Sequence, residues 1–332
     1  MLRSVAFHSA AVRSPAFTSS VLVFVYREVT LEIAGRNISH FLMGLLINST
    51  RVEEEIQPNA MLGLGLPPPK FDPGFGTTSF VEQLVEAEVL ARYIVSIHTT
   101  RLSEGITGQL VLGKETKKTE DTASLRLVDL PSTSGAITGV ISAVYVTSTS
   151  ADPAVACHYI HFDTGCDSTI VPSEIFARIL EAFEVEFGPD RVNWKKSRRP
   201  PPTDEQGLAA YIDDEDDLWF RESVAERLPA LVIQADSPST FKLHLSNHAQ
   251  VCESGWCRLQ VIDASSVNLP PDLFILGRFF FLEYHLTVDL DREIVLLESS
   301  KRPLVKEIGS SEWWEESRFR RCKSCRDQPE QD

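Results

Sequence analysis

Short runs in which apolar and polar residues alternate with period two recur along the whole chain, and they constrain its fold more than any other feature. They fall at Val29–Ile33, Gln109–Leu112, Leu125–Leu127 and Leu286–Leu290. Such alternation indicates strands with one face toward solvent. Helical spacing is confined to two short stretches: one opens with a capping box at Ser79 and Glu82, and the other begins at Ser173 and stops at Gly188. We therefore predict an all-β fold with a few short helices.

The charge and the hydrophobic runs exclude two classes of protein. Among 332 residues, 32 are Lys or Arg and 47 are Asp or Glu, so the net charge is −15. We expect no nucleic-acid partner, because phosphate contacts need basic residues. The longest apolar runs, Val21–Tyr26 and Phe41–Ile47, are too short to cross a bilayer. Arg3, His8 and Arg13 interrupt the start of the chain, so we also predict no signal peptide.

Several residues are candidates for modification or cross-linking. Of the six cysteines, Cys252 and Cys257 are spaced for a local disulfide, although spacing alone does not prove one. Asn37 and Asn48 lie in glycosylation sequons, which matter only if the chain enters a secretory pathway. We predict no metal site, because no H-E-x-x-H motif occurs and the single C-x-x-C at Cys322 lacks a second pair.

An acidic residue stands in a Gly-containing turn, Asp163-Thr164-Gly165, between two apolar segments. The flanking residues predict that this turn is buried; they are Tyr159, Ile160, Phe162, Ile170 and Val171. Burial disfavours the ionised carboxylate, whereas a hydrogen bond from the N–H of Gly165 favours it. An acid in such surroundings can be poised for proton transfer, so Asp163 is a candidate functional residue.

A second segment, Leu273–Leu297, contains Ile275-Leu276-Gly277 followed by a predicted pair of strands. Together with the Asp163 turn, it resembles the C-terminal lobe of the pepsin-like aspartic peptidases. Three upstream segments are similar to parts of the N-terminal lobe of that family, in the same order: Phe24–Gly35, Met61–Pro67 and Gly108–Gly113. The resemblance covers about Phe24 to Leu297 and implies a bilobal, pepsin-like β architecture.

The resemblance also implies a function and a set of site residues. The family consists of endopeptidases that need no metal or organic cofactor, act on peptides or proteins, and are commonly secreted or vacuolar. Asp163 would be the catalytic acid of the C-terminal lobe. The residues that support its turn would be Thr164, Gly165, Cys166, Ile275, Leu276 and Gly277. Cys166 stands where the family usually has Ser or Thr, and a thiol is a weaker hydrogen-bond donor than a hydroxyl. The resemblance leaves the oligomeric state and the compartment open.

The chain departs from the family where the second catalytic acid is needed. The mechanism uses two aspartates, one from each lobe. Here the first aspartate is Asp72, downstream of the segment that should contain the first acid, and Met1–Val23 has neither Asp nor Tyr, so the flap tyrosine is also missing. We expect little or no peptidase activity from this chain. Two explanations stay open: a wrong start or splice has shortened an active peptidase, or the chain is a noncatalytic relative that binds peptides or proteins.

These observations predict four regions. Residues 1–19 do not resemble the family, residues 20–117 form a partial N-terminal lobe, and residues 118–299 form the C-terminal lobe. Within that lobe, an acidic insertion at about 193–222 is predicted to be a solvated loop, because its charged run and prolines bury little apolar area. Residues 300–332 are predicted to be a polar, disordered tail.

Overall fold

The structure is a computed structural model that describes residues 22–33, 35–49, 64–66, 79–102, 105–115, 118–130, 135–149, 159–166, 168–197, 207–235, 239–267, 269–270 and 273–300. The predicted N-terminal segment 1–19 lies outside these residues, as does the predicted tail 300–332 apart from Ser300. The boundaries of these regions therefore remain predictions.

Strands dominate the described residues, which confirms the predicted all-β class. The strands are β1 (Leu22–Ile33), β2 (Arg36–Ser49), β3 (Ile94–Leu102), β4 (Gly105–Leu112), β5 (Thr122–Val128), β6 (Ile137–Val146), β7 (Tyr159–Phe162), β8 (Thr169–Val171), β9 (Val192–Ser197), β10 (Ala210–Asp213), β11 (Leu218–Arg221), β12 (Ala230–Ala235), β13 (Thr240–His244), β14 (Ala249–Glu253), β15 (Trp256–Leu259), β16 (Val261–Asp263), β17 (Ile275–Leu276), β18 (Tyr284–Asp289) and β19 (Ile294–Ser299). The helices are α1 (Phe80–Glu86), α2 (Ser173–Phe187) and α3 (Phe280–Glu283). Short 3-10 segments lie at Pro189–Arg191, Glu222–Arg227, Leu245–His248 and Ala264–Val267. No helix in the described part of the chain is both long and apolar enough to cross a membrane.

One twelve-stranded sheet joins the early and late parts of the chain. Its order is β16-β8-β17-β7-β6-β5-β19-β18-β3-β4, and β12 extends it by pairing with both β6 and β13. Strand β18 pairs antiparallel with β3, with Leu286 opposite Ile97. Residues on the two sides of the predicted lobe boundary at 117/118 therefore belong to the same sheet.

The first helix and the first hairpin form a small layer on this sheet. The predicted capping box is present, because the Ser79 hydroxyl accepts from the N–H of Glu82 at 3.2 Å and the Glu82 carboxylate accepts from the N–H of Ser79 at 3.3 Å. Strands β1 and β2 pair as a separate ribbon. Ile38 and Phe41 of that ribbon pack on Leu84 of α1, so this helix buries its apolar side against the hairpin.

Helix α2 covers the main core beside the sheet. It ends before Gly188, as the sequence predicts. Ile175, Ile179 and Phe183 are fully buried, and their spacing of four residues places them on one side of the helix. This apolar stripe packs into the largest cluster of buried residues, together with those of β5, β6 and β7.

The acidic segment 193–222 differs from the predicted solvated loop. Its described residues form most of β9 together with β10 and β11, in a five-stranded sheet with β14 and β15. Asp213 is fully buried, and its carboxylate accepts hydrogen bonds from the N–H groups of Glu215 and Asp217 and from the indole of Trp219, each at 2.9 Å. These three donors offset the cost of burying the carboxylate of Asp213. Composition alone did not predict them.

Candidate functional site

Asp163 follows directly after β7, where two strands meet that are far apart in sequence. Strand β17 lies between β7 and β8 and is parallel to β7. The N–H of Asp163 donates to the carbonyl of Leu276 at 3.0 Å, and the N–H of His161 donates to the carbonyl of Phe274 at 2.9 Å. The backbone on both sides of Phe162 is thus fixed to β17, so Asp163 is held by the sheet.

The turn after Asp163 has its own hydrogen bonds. The carboxylate of Asp163 accepts the N–H of Gly165 at 2.8 Å, and the carbonyl of Asp163 accepts the N–H of Cys166 at 3.3 Å. The buried thiol of Cys166 donates to the carbonyl of Ser168 at 3.1 Å. The backbone therefore orients the carboxylate, and the thiol helps to fold the turn back toward β8.

Gly277 explains why Ile275-Leu276-Gly277 can lie directly behind this turn. A Cβ atom at Gly277 would lie 2.2 Å from the carbonyl oxygen of Ser168 and 2.5 Å from that of Cys166. Both neighbours are backbone atoms, so no side-chain rotation could relieve the clash. The adjacent N–H of Arg278 donates to the carbonyl of Cys166 at 2.8 Å, which joins the two segments. Only glycine permits this close approach.

The turn is more open than its flanks predict. Ile160, Phe162, Ile170 and Val171 are buried, but Asp163 is half-buried, and Thr164 and Gly165 are exposed. The prediction of a fully buried turn is therefore wrong. Tyr159, the fifth flanking residue, is 41% exposed. The other four apolar flanks are buried, while the tip of the turn projects from the end of the strands. Within the described residues, no second carboxyl group forms a hydrogen bond with Asp163.

A segment from the early part of the chain also reaches this end of the sheet. The N–H of Leu66 donates to the carbonyl of Gly135 at 2.9 Å, and the hydroxyl of Tyr93 donates to the carbonyl of Gly65 at 3.0 Å. Gly135 lies two residues before β6, the neighbour of β7. The described part of the Met61–Pro67 segment therefore lies beside the strand pair that leads to Asp163.

Comparison with known families fits this geometry. The sequence profile described as eukaryotic aspartyl protease matches residues 24–299. This chain belongs to the eukaryotic aspartyl protease family. The match includes both the Asp163 turn and the strand behind it, and it confirms the pepsin-like relationship that the sequence predicts.

Solved structures show that this aspartyl protease family member has the same fold as distant relatives. The aspartic proteinase from Irpex lacteus has a TM-score of 0.60 and 15% identity, with 85% of this chain and 79% of that chain covered. The basic 7S globulin from soybean has a TM-score of 0.58 and 13% identity, with 86% of this chain and 71% of that chain covered. No protein with a curated description matches the sequence significantly. At these identities, the likeness concerns the fold alone.

His161 lies two residues before Asp163 on β7, and the sequence analysis did not select it as a site residue. Its side chain is 8% exposed, and its Nδ1 lies 2.8 Å from the hydroxyl oxygen of Thr138 on β6. Burial lowers the pKa of the His161 imidazole, and the nearby negative charge of Asp163 partly offsets that effect. The alternation of side chains along β7 was the signal that could have identified it, because residues 161 and 163 project to the same side.

The remaining candidates lie elsewhere. Cys252 and Cys257 form a disulfide between β14 and β15. Asn37 is exposed on β2, whereas the side chain of Asn48 lies outside the described residues. In the part of the chain that is described, no three His, Cys, Asp or Glu side chains are grouped so as to hold a metal ion. None of these features contributes to the Asp163 site.

Proposed function

We propose that this member of the aspartyl protease family binds extended peptide or protein segments at the Asp163 turn and has little or no peptidase activity as a single chain. The proposal rests on one observation. A backbone-oriented carboxylate projects at an open turn, and no second carboxyl group in the described residues bonds to it. An exposed turn with a fixed hydrogen-bond acceptor can bind a peptide N–H or hydroxyl group.

Hydrolysis of an amide bond requires more functional groups at the site than peptide binding does. One group must take a proton from the attacking water while another protonates the forming oxyanion, and in this family two carboxyl groups share these roles. Asp-Thr-Gly occurs once in this chain, and no aspartate precedes Asp72. Asp163 alone can orient a ligand or a water molecule, but it cannot perform both proton transfers at once.

An active aspartic endopeptidase is the second candidate. The geometry of the Asp163 turn favours it. The carboxylate accepts a hydrogen bond from the N–H of Gly165, and Gly277 packs directly behind the turn, as is required to hold a catalytic acid in place. In that case another carboxyl group would complete the site, and Asp163 would supply one of the two acids.

Two measurements on the full chain distinguish the candidates. Calorimetry with a statin-type peptide at acidic pH measures binding, and digestion of an unfolded protein substrate measures turnover. We expect binding without turnover in the native chain and loss of binding in Asp163→Ala. Asp214→Ala is the matched control, because Asp214 is exposed and lies in a different sheet region. Acid proteolysis that Asp163→Ala abolishes would establish the second candidate, and the absence of both binding and turnover would refute both.

A further inference from the structure

Two histidines from distant parts of the chain face each other on the twelve-stranded sheet. His98 lies on β3 and His285 on β18, one step beyond the pair that Leu286 makes with Ile97. Residues directly opposite each other in an antiparallel pair have their side chains on the same face. The two imidazole rings lie 4.7 Å apart between centroids, with an angle of 45° between their planes. The backbone of two paired strands therefore holds the rings together.

The separation of the rings suits a shared metal ion. An imidazole nitrogen binds Zn²⁺ at about 2.1 Å, so two nitrogens on one ion lie at most about 4.2 Å apart. The nitrogens lie on the edges of the rings, so a centroid separation of 4.7 Å allows one nitrogen of each ring to come within that distance. The rings are tilted and not stacked flat, so their edges can converge on one point.

One ring nitrogen of this pair has no hydrogen-bond partner among the described residues. It is Nδ1 of His285, which is buried. Buried polar atoms in proteins nearly always have a partner, because an unsatisfied one costs free energy. A metal ion held between the rings would give a nitrogen of this kind a partner. Both histidines are half-buried, so an ion can reach them from solvent.

A carboxylate stands next to the histidine pair. Glu298 on β19 lies directly opposite His285 in the β18–β19 pair. His98, His285 and Glu298 therefore form a row across three neighbouring strands. Within the described residues these three side chains are not grouped closely enough to bind one ion together. We therefore assign the ligands to the two histidines, with water completing the shell, and Glu298 supplies negative charge that attracts a cation.

We propose that His98 and His285 form a two-histidine binding site for a divalent transition-metal ion of the zinc type. Imidazole suits zinc, copper and nickel, whereas Mg²⁺ and Ca²⁺ prefer oxygen ligands. The sequence prediction of no metal site rested on motifs that are close in sequence, and these two histidines cannot form one. The site is separate from the Asp163 turn, and the inference does not rest on the proposed peptide binding. A bound ion would fasten β3 to β18.

Thermal melting of the full chain at increasing Zn²⁺ concentration tests the site. A ligand that binds only the folded chain raises Tm, and the two histidines are adjacent only when β3 and β18 are paired. We expect Tm to rise with zinc in the native chain but not in His98→Gln or His285→Gln. Mg²⁺ at the same concentrations should leave Tm unchanged. A native Tm that does not respond to zinc, or an equal rise in the native chain and both variants, would overturn the proposal.

Two other histidines provide matched controls. His40 is exposed and lies on β2, and the imidazole of His244 contacts Glu283. His40→Gln and His244→Gln should keep the native response to zinc. Loss of the response in either control would place the ion elsewhere and overturn the proposal.

Two further measurements separate metal binding from a structural role of the rings. His98→Cys keeps a zinc ligand, so it should retain the rise in Tm that His98→Gln loses. Equal responses of these two variants would overturn the proposal. Nuclear magnetic resonance needs no variant: zinc should shift the ring signals of His98 and His285 together and leave those of His40 in place. Unchanged signals of His98 and His285 would also overturn it.

Discussion

The imidazole rings of His98 on β3 and His285 on β18 face each other with their centroids 4.7 Å apart. Burial lowers the pKa of His285, the positive charge of His98 lowers it further, and Glu298 acts in the opposite direction. The unfolded chain therefore takes up this proton before the folded chain does. Stability is complete above the ordinary histidine value of 6.5 and falls as the pH drops through the lower folded value.

We therefore expect acidification to destabilise the native chain more than a His285→Gln variant. Urea unfolding at a series of pH values measures this difference, with His40→Gln as the control at an exposed position. Equal slopes of stability against pH in the native chain and in His285→Gln would contradict the prediction.

Replacing Glu283 should be costly, because this buried acid lies between two histidines. It is 7% exposed, and its two carboxylate oxygens lie 3.1 Å from His244 and 3.4 Å from His248. The longer contact lacks hydrogen-bond geometry. Breaking a buried pair costs about 3 kcal/mol or more, so Glu283→Gln should lower the free energy of unfolding by that order. His244→Gln should cost less, because the side chain of His244 is 57% exposed.

The same cluster predicts a pH window. Burial acts to raise the pKa of Glu283, but the two imidazoles outweigh it and hold that pKa below 4.5. The stabilisation that the ionised Glu283 contributes is therefore present above pH 4.5 and is lost as the pH falls through the folded value. The hydrogen bond to Glu283 raises the pKa of His244 above 6.5. The stabilisation that the protonated His244 contributes is therefore present below pH 6.5 and is lost as the pH rises through the folded value. The stability difference between the native chain and Glu283→Gln should be largest between these two values. A difference that is constant with pH would argue against this account.

Two glycines near the Asp163 turn should respond differently to alanine. In Gly277→Ala the new Cβ meets two backbone oxygens, and we expect a loss of about 3 kcal/mol or failure to fold. In Gly165→Ala the Cβ lies 3.2 Å from the carboxylate of Asp163, which is a side chain and not backbone, so the fold should survive while the displaced carboxylate binds ligand more weakly. Thermal melting and calorimetry measure the two effects. Equal stability of both variants would show that the close approach at Gly277 is not needed.

Asp213 offers a test with a neighbouring control. Asp213→Ala leaves two backbone N–H groups and the indole of Trp219 without their carboxylate acceptor, and unmade buried hydrogen bonds cost about 1–3 kcal/mol each. Asp214 is exposed, so Asp214→Ala should change the unfolding free energy by less than about 0.5 kcal/mol. Denaturant titration of the two variants compares them directly, and similar losses in both would contradict the role assigned to Asp213.

Local patterns were enough to predict much of this fold and part of the site. The alternation around Leu125 predicted β5, and the capping box at Ser79 predicted the start of α1, because both signals depend on neighbours in sequence. The position of Ile275-Leu276-Gly277 behind Asp163 followed from resemblance to the family. Each of these features has a recognisable sequence pattern, either local or shared with the family, and could therefore be predicted.

The features that sequence did not predict depend on distant partners. Composition suggested a solvated loop around Asp213, because the compensating bond from Trp219 is visible only after the hairpin forms. The position of the His161 imidazole depends on Thr138, which lies across the strand pair. The exposed tip at Thr164 depends on where the strands end, and apolar flanks do not determine that position.

The pairing of β3 with β18 has a consequence for biosynthesis. The hydroxyl groups of Ser96 and Thr287 lie 2.8 Å apart across that pair, yet 191 residues separate them in the chain. At about 5–20 residues per second, a ribosome needs roughly 10 to 40 seconds to make the later strand after the earlier one. During that interval the edge of β3 that will receive β18 is unpaired, and an unpaired strand edge is a site at which another chain can pair. A premature stop before Tyr284 would consequently disable strands that had already been translated.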